Sequence, residues 1–304
     1  FGSAVSGFGF IYNKPRLEQA GLPLPATWDD LAKPEFAGVI ALADPTQSGS
    51  IAAVYEMIVQ GEESWPQGWK KLLLILANAK QFYDGAGDAA NAPLVGDALV
   101  AACIDFYGAL RVEQAPDALV YVSPKGQTAF TPDPIAKLKN PPSSELADTF
   151  IQFVLSRQGQ ALLALPAGVE NGPLRHALGR QPVRRDVYES YTSQLLPWIV
   201  NPYQAGNEMI IDSELQKVRF NVLRQLVRAA AIDNLDGLRK ARTALADSGY
   251  PPEKMKAFIE LPENVSTVSG IRNVAKQLGN QQDAEKIVTG WQIFFREKYQ
   301  NINH

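Results

Sequence analysis

Ser48-Gly49-Ser50 is the segment of this chain best suited to hold a ligand. It follows the apolar run Val39-Ile40-Ala41-Leu42-Ala43 and the loop Asp44-Pro45-Thr46-Gln47, and it precedes a helical stretch from Ile51 to about Val59. Backbone N–H groups at a helix start point outward unpaired, and the helix dipole there favours negative charge. Serine hydroxyls add donors, and glycine lets a ligand approach the backbone closely. With Thr46 just upstream, these residues predict a cradle for phosphate, sulfonate or carboxylate. Ordinary helix capping accounts for the same residues without a ligand.

A second glycine pair offers different chemistry. Gly85-Ala86-Gly87-Asp88-Ala89-Ala90 follows the strand candidate Gln81-Phe82-Tyr83, and Asp105 lies twenty residues beyond Gly85. That is the outline of a dinucleotide fingerprint, so an NAD-dependent α/β enzyme is an alternative. Against it, Pro93 falls six residues past Gly87. A proline inside a helix costs about 3 kcal/mol, and Pro93 is expected to limit the helix before it crosses a sheet. Asp105-Phe106-Tyr107 ends another strand candidate and presents a carboxylate and a phenol; Phe106 in the core with the other two on the surface is the plainer alternative.

Other chemistries find no support. The sequence has no Gly-x-Ser-x-Gly elbow, no Walker loop and no His-Glu-x-x-His, which agrees with a binder rather than an enzyme. Cys103 is the single cysteine and sits in the apolar run Leu99–Ile104, so it reads as a small buried hydrophobe. With only His176 and His304 present, Cys/His zinc sites are excluded. No cofactor is expected. The net charge of −3 argues against nucleic acid as a partner, because that demands a basic face.

The elements that must position these residues follow from pattern and breakers. The chain has 304 residues, 46% of them hydrophobic and 20% charged, enough for two domains with their own core. Strands are predicted at Phe8–Tyr12, Val39–Ala43, Gln81–Tyr83, Leu99–Ile104 and Ala118–Val122, with helices from Ile51 to about Val59, at Glu63–Ala79 and, briefly, before Pro93. That alternation means an α/β layer structure with a largely parallel sheet. Thr27 is placed to cap a short helix, Trp28-Asp29-Asp30-Leu31. From Ser144 the apolar residues Leu146, Phe150, Ile151 and Val154 recur at helical spacing. Four helical segments are predicted from Asp212 onward, broken near Asn234, at Gly249–Pro252 and at Gly279-Asn280. No apolar stretch reaches 18 residues, and no signal-peptide pattern is present. Without a start methionine, Phe1–Gly9 reads as the middle of a folded unit whose earlier part is absent.

Three segments together resemble the family 1 bacterial extracellular solute-binding proteins, in the iron-type subgroup of the type II periplasmic fold. The first is Gly9-Phe10-Ile11-Tyr12-Asn13-Lys14 with Leu17, Gly21, Pro25 and Thr27-Trp28-Asp29-Asp30-Leu31. The second is Ala43-Asp44-Pro45 with Ser48-Gly49-Ser50. The third is Ala129-Phe130-Thr131-Pro132-Asp133-Pro134-Ile135-Ala136, then Asn140-Pro141-Pro142 through Gln160.

The resemblance implies two α/β lobes with a ligand cleft between them. Residues 1–13 and 129–204 would form lobe one, N-terminally incomplete; residues 14–128 would form lobe two; residues 205–304 would be a helical extension packed on lobe one. The chain would cross between lobes near Tyr12 and return near Phe130. Ser48, Gly49, Ser50, Thr46, Tyr83, Asp88, Asp105, Tyr107 and Tyr12 are the expected ligand-binding residues. Such a protein is periplasmic and monomeric, captures a small, anionic solute and delivers it to an ABC permease in the inner membrane. A ferric ion is the alternative cargo. Iron-binding members use tyrosinates, and Tyr188 and Tyr191 are the nearest pattern, although Arg184 and Arg185 precede them and no histidine is placed to help. A scaffold that binds a macromolecule is a further alternative.

Overall fold

The computed structural model describes residues 1–204 and 209–302. The chain opens with β1 (Gly2–Ser6) and, after Gly7, β2 (Phe8–Asn13). Every residue of β2 is buried, as expected of an apolar run covered on both faces. α1 (Lys14–Gln19) begins where the Asn13 side chain accepts from the Arg16 N–H. α2 (Trp28–Leu31) has the predicted cap made reciprocal: Thr27 Oγ1 accepts from Asp30 N at 3.2 Å, and the Asp30 carboxylate accepts from Thr27 N at 3.0 Å. Then β3 (Ile40–Ala43), α3 (Gly49–Gln60), α4 (Trp65–Ala77), β4 (Ala79–Tyr83), α5 (Ala86–Val95), β5 (Val100–Ile104), α6 (Asp105–Gln114) and β6 (Leu119–Val122) follow; Asp105-Phe106-Tyr107 opens α6 and does not end the strand as expected.

Pro93 does not end its helix. α5 runs through it to Val95 and stops at Gly96, whose φ of +86° suits glycine. The helix is held to the sheet by buried Ala89, Ala90, Ala92 and Pro93 itself, and Asn13 Nδ2 donates to the Pro93 carbonyl at 3.0 Å. This packing offsets the hydrogen bond that proline cannot make.

The five strands pair in the order β4-β3-β5-β2-β6. β3 is parallel to β4 and to β5, while β2 is antiparallel to both β5 and β6. Four strands therefore run one way and β2 alone opposes them. One edge of the sheet collects the C-terminal ends of β4, β3, β5 and β6 together with Phe8, the first residue of β2, which pairs with Ile104. Tyr12 pairs with Val100 at the opposite edge.

β7 (Thr131–Pro134) pairs with β1 outside this sheet, with Ser6 opposite Thr131. Thr128 ties the two connections together: its Oγ1 donates to Phe8 O at 2.7 Å and lies 3.2 Å from Phe8 N. The chain passes Phe130 just before it enters β7. β2 is an interior strand of the sheet that residues 14–128 were expected to build alone, so the chain passes from the two-stranded to the five-stranded sheet at Gly7 and not at Tyr12. α7 (Ser144–Leu155), α8 (Arg157–Ala164) and α9 (Arg185–Ser190) follow β7. α7 has no buried residue, and its apolar face keeps Leu146 70% and Phe150 61% exposed.

The extension begins, within the described residues, with α10 (Ser213–Val227), which passes into a π turn (Arg228–Ile232). α11 (Leu235–Asp247), α12 (Pro252–Ile259), α13 (Val268–Gln277) and α14 (Gln281–Ile302) complete it. The expected start of this unit at residue 205 lies outside the described residues. There are five α-helices here where four segments were expected, since Pro262 cannot continue α12 and a 3₁₀ turn intervenes. Among the described residues the extension packs on the helices of the five-stranded sheet, whereas lobe one was expected to receive it. α10 lies on α3, and α11 and α12 lie on α4. Leu226, Leu238, Phe258 and Phe295 share one core with Trp69, Leu72 and the strands.

Candidate functional site at the sheet edge

Strands β4, β3 and β5 are neighbours, and each is followed by a helix whose N-terminus opens at the same sheet edge. After β3 the loop turns sharply, with Gln47 N and Ser48 N both donating to Asp44 O, at 3.1 and 2.9 Å. Ser48 is the N-cap of α3; its Oγ accepts from Ile51 N at 3.4 Å and lies 3.2 Å from Ser50 Oγ. Gly49 is exposed, and a Cβ there would meet nothing within 4 Å. The start of this 12-residue helix is thus open to an approaching anion, with two hydroxyls beside it. Buried Asp44 braces the loop from within: Oδ1 accepts from Thr46 N and from Thr46 Oγ1, each at 2.7 Å.

At the end of β4, the Tyr83 hydroxyl is buried and has no hydrogen-bond partner among the described residues. Asp84 and Asp88 are exposed. The Tyr107 ring, from the first turn of α6, lies 3.4 Å from where a Cβ of Gly87 would be, so α5 and α6 meet edge to edge at their starts.

Asp105 is committed to the crossing strand. Its Oδ2 accepts from Gly7 N at 2.8 Å, Asp105 N donates to Gly7 O at 3.0 Å, and Oδ1 accepts from Phe106 N at 2.7 Å. Burial pushes its carboxyl up to about 6, partly opposed by the Gly7 and Phe106 N–H groups and by nearby Arg180. Arg180 stacks over the Phe106 ring, 4.0 Å from guanidinium carbon to centroid, and pairs with Asp133 of β7, which also accepts from Ser6 Oγ at 2.9 Å. Elements from both sides of the crossing therefore meet at the start of α6.

The structure brings Thr46, Ser48, Gly49, Ser50, Tyr83, Asp88, Asp105 and Tyr107 to this one edge. Tyr12 is not among them. β2 runs against its neighbours, so Tyr12 lies four residues, about 13 Å of strand, from Phe8. Asp105 belongs to the edge, but both its oxygens already have protein donors. Tyr188 and Tyr191 do not converge. α9 is six residues long, the Tyr188 hydroxyl donates to Pro182 O at 2.8 Å, and Tyr191 lies past the helix end near Arg157. Burial pushes the Tyr188 phenol far above its ordinary value, the wrong direction for a tyrosinate ligand. A dinucleotide also fits poorly at Gly85–Gly87. The Tyr107 ring covers the glycine that a pyrophosphate must approach, and β5, which would carry the ribose-binding acid, is separated from β4 by β3.

Sequence reasoning missed the arginines. Arg224 and Arg228 bind the Asp44–Thr46 loop from the extension, and no spacing in the sequence links them to it. It also missed a cavity of about 580 Å³ on the flank of the crossing, lined by Gly7, Asp105, Tyr121, Phe130 and Trp198 among others. That cavity shares Asp105 with the sheet edge but not the α3 loop.

A family described as bacterial extracellular solute-binding protein matches residues 2–181. The chain belongs to this family. It is 31% identical over 292 residues to the phosphoglycerate transport regulatory protein PgtC of Salmonella typhimurium, covering 96% of this chain and 70% of that one. Among solved structures it is similar to the periplasmic binding protein AfuA of Actinobacillus pleuropneumoniae with exogenous fructose-6-phosphate bound, with a TM-score of 0.54 and 22% identity, over 69% of this chain and 60% of that one. It is also similar to the apo ferric ion-binding protein A of Pasteurella haemolytica, with a TM-score of 0.54 and 18% identity, over 75% of this chain and 67% of that one. The chain thus spans three-fifths of the length of AfuA. These likenesses establish the fold, an α/β arrangement of the type II periplasmic binding proteins with helices added at its C-terminal end. The family and its solved neighbours are binding proteins rather than enzymes. No described helix of this solute-binding protein is long and apolar enough to cross a membrane.

Proposed function

We propose that this solute-binding protein captures a small phosphorylated anion at the sheet edge, in the periplasm, as the receptor of a bacterial ABC importer. The observation that carries the reading is the open N-terminus of α3. Gly49 leaves the backbone bare, and the Ser48 and Ser50 hydroxyls flank it. Two similar proteins, the phosphoglycerate transport regulatory protein PgtC and AfuA with fructose-6-phosphate bound, support a phosphate ester as the solute class.

Two lobes would close over the solute about the paired crossings at Ser6–Phe8 and Thr128–Thr131, shifting an open–closed equilibrium. One lobe would hold residues 8–128 and the helical extension. The other would hold β1, β7 and α7–α9, and the bare apolar face of α7 supports its being only part of a larger lobe. The closed monomer would then dock on an inner-membrane permease, with no chemical step.

Titration calorimetry of the protein with 3-phosphoglycerate and with fructose 6-phosphate is expected to give saturable heat. Small-angle scattering should show a smaller radius of gyration with solute bound. No heat from either ester, under conditions where the protein is folded, would overturn the reading.

A further inference from the structure

The loop that presents Ser48 is shaped by side chains from the far end of the chain. Arg224, in the last turn of α10, donates Nε to Pro45 O at 2.5 Å and Nη2 to Thr46 O at 2.6 Å. Arg228, which opens the π turn, donates Nη1 to Asp44 Oδ2 at 2.5 Å and to Thr46 Oγ1 at 3.1 Å. Two guanidinium groups thus satisfy two backbone carbonyls, a carboxylate and a hydroxyl within three consecutive residues. These are the residues where the chain leaves β3 and loses its ladder partners. Asp44 then relays the restraint inward, because the same carboxylate accepts from Thr46 N and Oγ1.

The π turn adds a second observation. Such irregularities recur at functional sites, and the residue that opens this one holds Asp44. Arg228 is itself anchored, with Nε 3.6 Å from the Asp233 carboxylate at the other end of the turn. The family match ends at residue 181, so both arginines lie outside the part of the chain it covers.

We propose that Arg224 and Arg228 are positioning residues for the solute site, through which the C-terminal helices set the affinity of a loop 179 positions upstream. The proposal rests on the reading of Ser48–Ser50 as the anion cradle. The physical effect is pre-organisation. A loop already fixed when the solute arrives loses little conformational freedom on binding, whereas a loop freed from the arginines must be ordered at that moment. Neither arginine has to touch the solute for its removal to weaken binding.

Hydrogen exchange on the unliganded full chain tests the first half. In Arg224→Met and Arg228→Met, the amides of residues 46–50 should exchange roughly tenfold faster, with α4 and α14 unchanged. Arg228→Lys, which keeps the positive charge on a single donor nitrogen, should restore part of the protection. Should either methionine variant fail to fold, the lysine variants at both positions carry the comparison. Unaltered exchange at residues 46–50 would overturn the proposal whether or not any solute binds. Calorimetry with 3-phosphoglycerate tests the second half. Affinity should fall in the order wild type, Arg228→Lys, Arg228→Met, by roughly tenfold overall, at an unchanged melting temperature. The bound ester should in turn slow exchange in the π turn, which a purely structural role would not produce. Equal affinities would overturn this proposal while leaving the cradle at Ser48–Ser50 intact. A wild type that binds no ester would remove the cradle, and the exchange arm would still decide whether the arginines hold the loop.

Discussion

Arg219 and Glu56 form an ion pair sealed between α10 and α3. Arg219 Nε lies 3.0 and 3.1 Å from the two carboxylate oxygens, Nη2 lies 2.5 Å from Oε1, and the two side chains are 3% and 1% exposed. Gln60 donates to the same carboxylate at 2.7 Å, and the Trp65 ring lies 5.1 Å from the guanidinium carbon. Two charges taken out of water are tolerated only because each satisfies the other. Together with the Arg224 and Arg228 contacts, this pair fixes α10 along α3 and so sets where both loop-binding arginines fall.

Removing one partner strands the other. Glu56→Ala or Arg219→Ala should lower unfolding free energy by about 3–5 kcal/mol, read by urea denaturation. Glu56→Leu combined with Arg219→Met should recover most of that loss. A single variant with the wild-type midpoint would mean that the remaining charge still reaches water.

At the solute cradle, Ser48→Ala with Ser50→Ala should weaken phosphate-ester binding by about 1–3 kcal/mol per lost charged hydrogen bond, measured by calorimetry. Stability should fall by only about 1 kcal/mol, the usual contribution of a helix N-cap. Unchanged affinity with lowered stability would reassign both serines to capping α3.

The Asp105 carboxyl, raised by burial to about 6 from its ordinary 3.8, binds a proton more tightly in the folded state than in the unfolded one. Its contribution to stability is therefore fully present below pH 4 and is lost as pH rises through 6. Asp105→Asn keeps an acceptor for Gly7 N and should remove that slope, leaving the variant roughly 2–3 kcal/mol less disadvantaged at pH 7. Denaturation curves at pH 4.5 and 7 check this; parallel pH profiles for wild type and variant would contradict it.

Lys298 shows the opposite sign. Its ammonium is buried on α14, donates to Phe258 O and Glu260 O at 2.9 Å each, and is pushed down to about 7 by burial, opposed by nearby Glu260. The unfolded chain holds this proton up to about 10.5, so stability should rise between pH 7 and pH 10. Lys298→Met should flatten that rise while forfeiting both hydrogen bonds at every pH. An equally steep rise in the variant would assign the slope to other groups.

Much of the fold was legible because local signals were unambiguous. Thr27 and Asp30 announce the start of α2, and the apolar run before Asp44 can only be a strand buried on both faces. The placement of Ser48–Ser50 at a helix start was equally readable. Tyr12 was misplaced because strand direction is set by pairing, and nothing within Phe8–Asn13 says which end faces Asp105. Pro93 misled because its penalty is local, whereas the packing of Ala89, Ala90 and Ala92 that offsets it belongs to the sheet. The docking of the extension was not legible either. An amphipathic helix such as α10 declares which face is apolar but not which surface will cover it, and Arg228 meets Asp44 only through that choice.

One core runs from Phe8 in the first strand of the sheet to Ile302 in α14. A nascent chain therefore cannot complete this unit until its final helix has been synthesised, and an export machinery that threads unfolded polypeptide would find it still open. The same closure by late-arriving helices makes residues near α14, far from any bound solute, the place where a truncation would leave Trp69 and its neighbours uncovered.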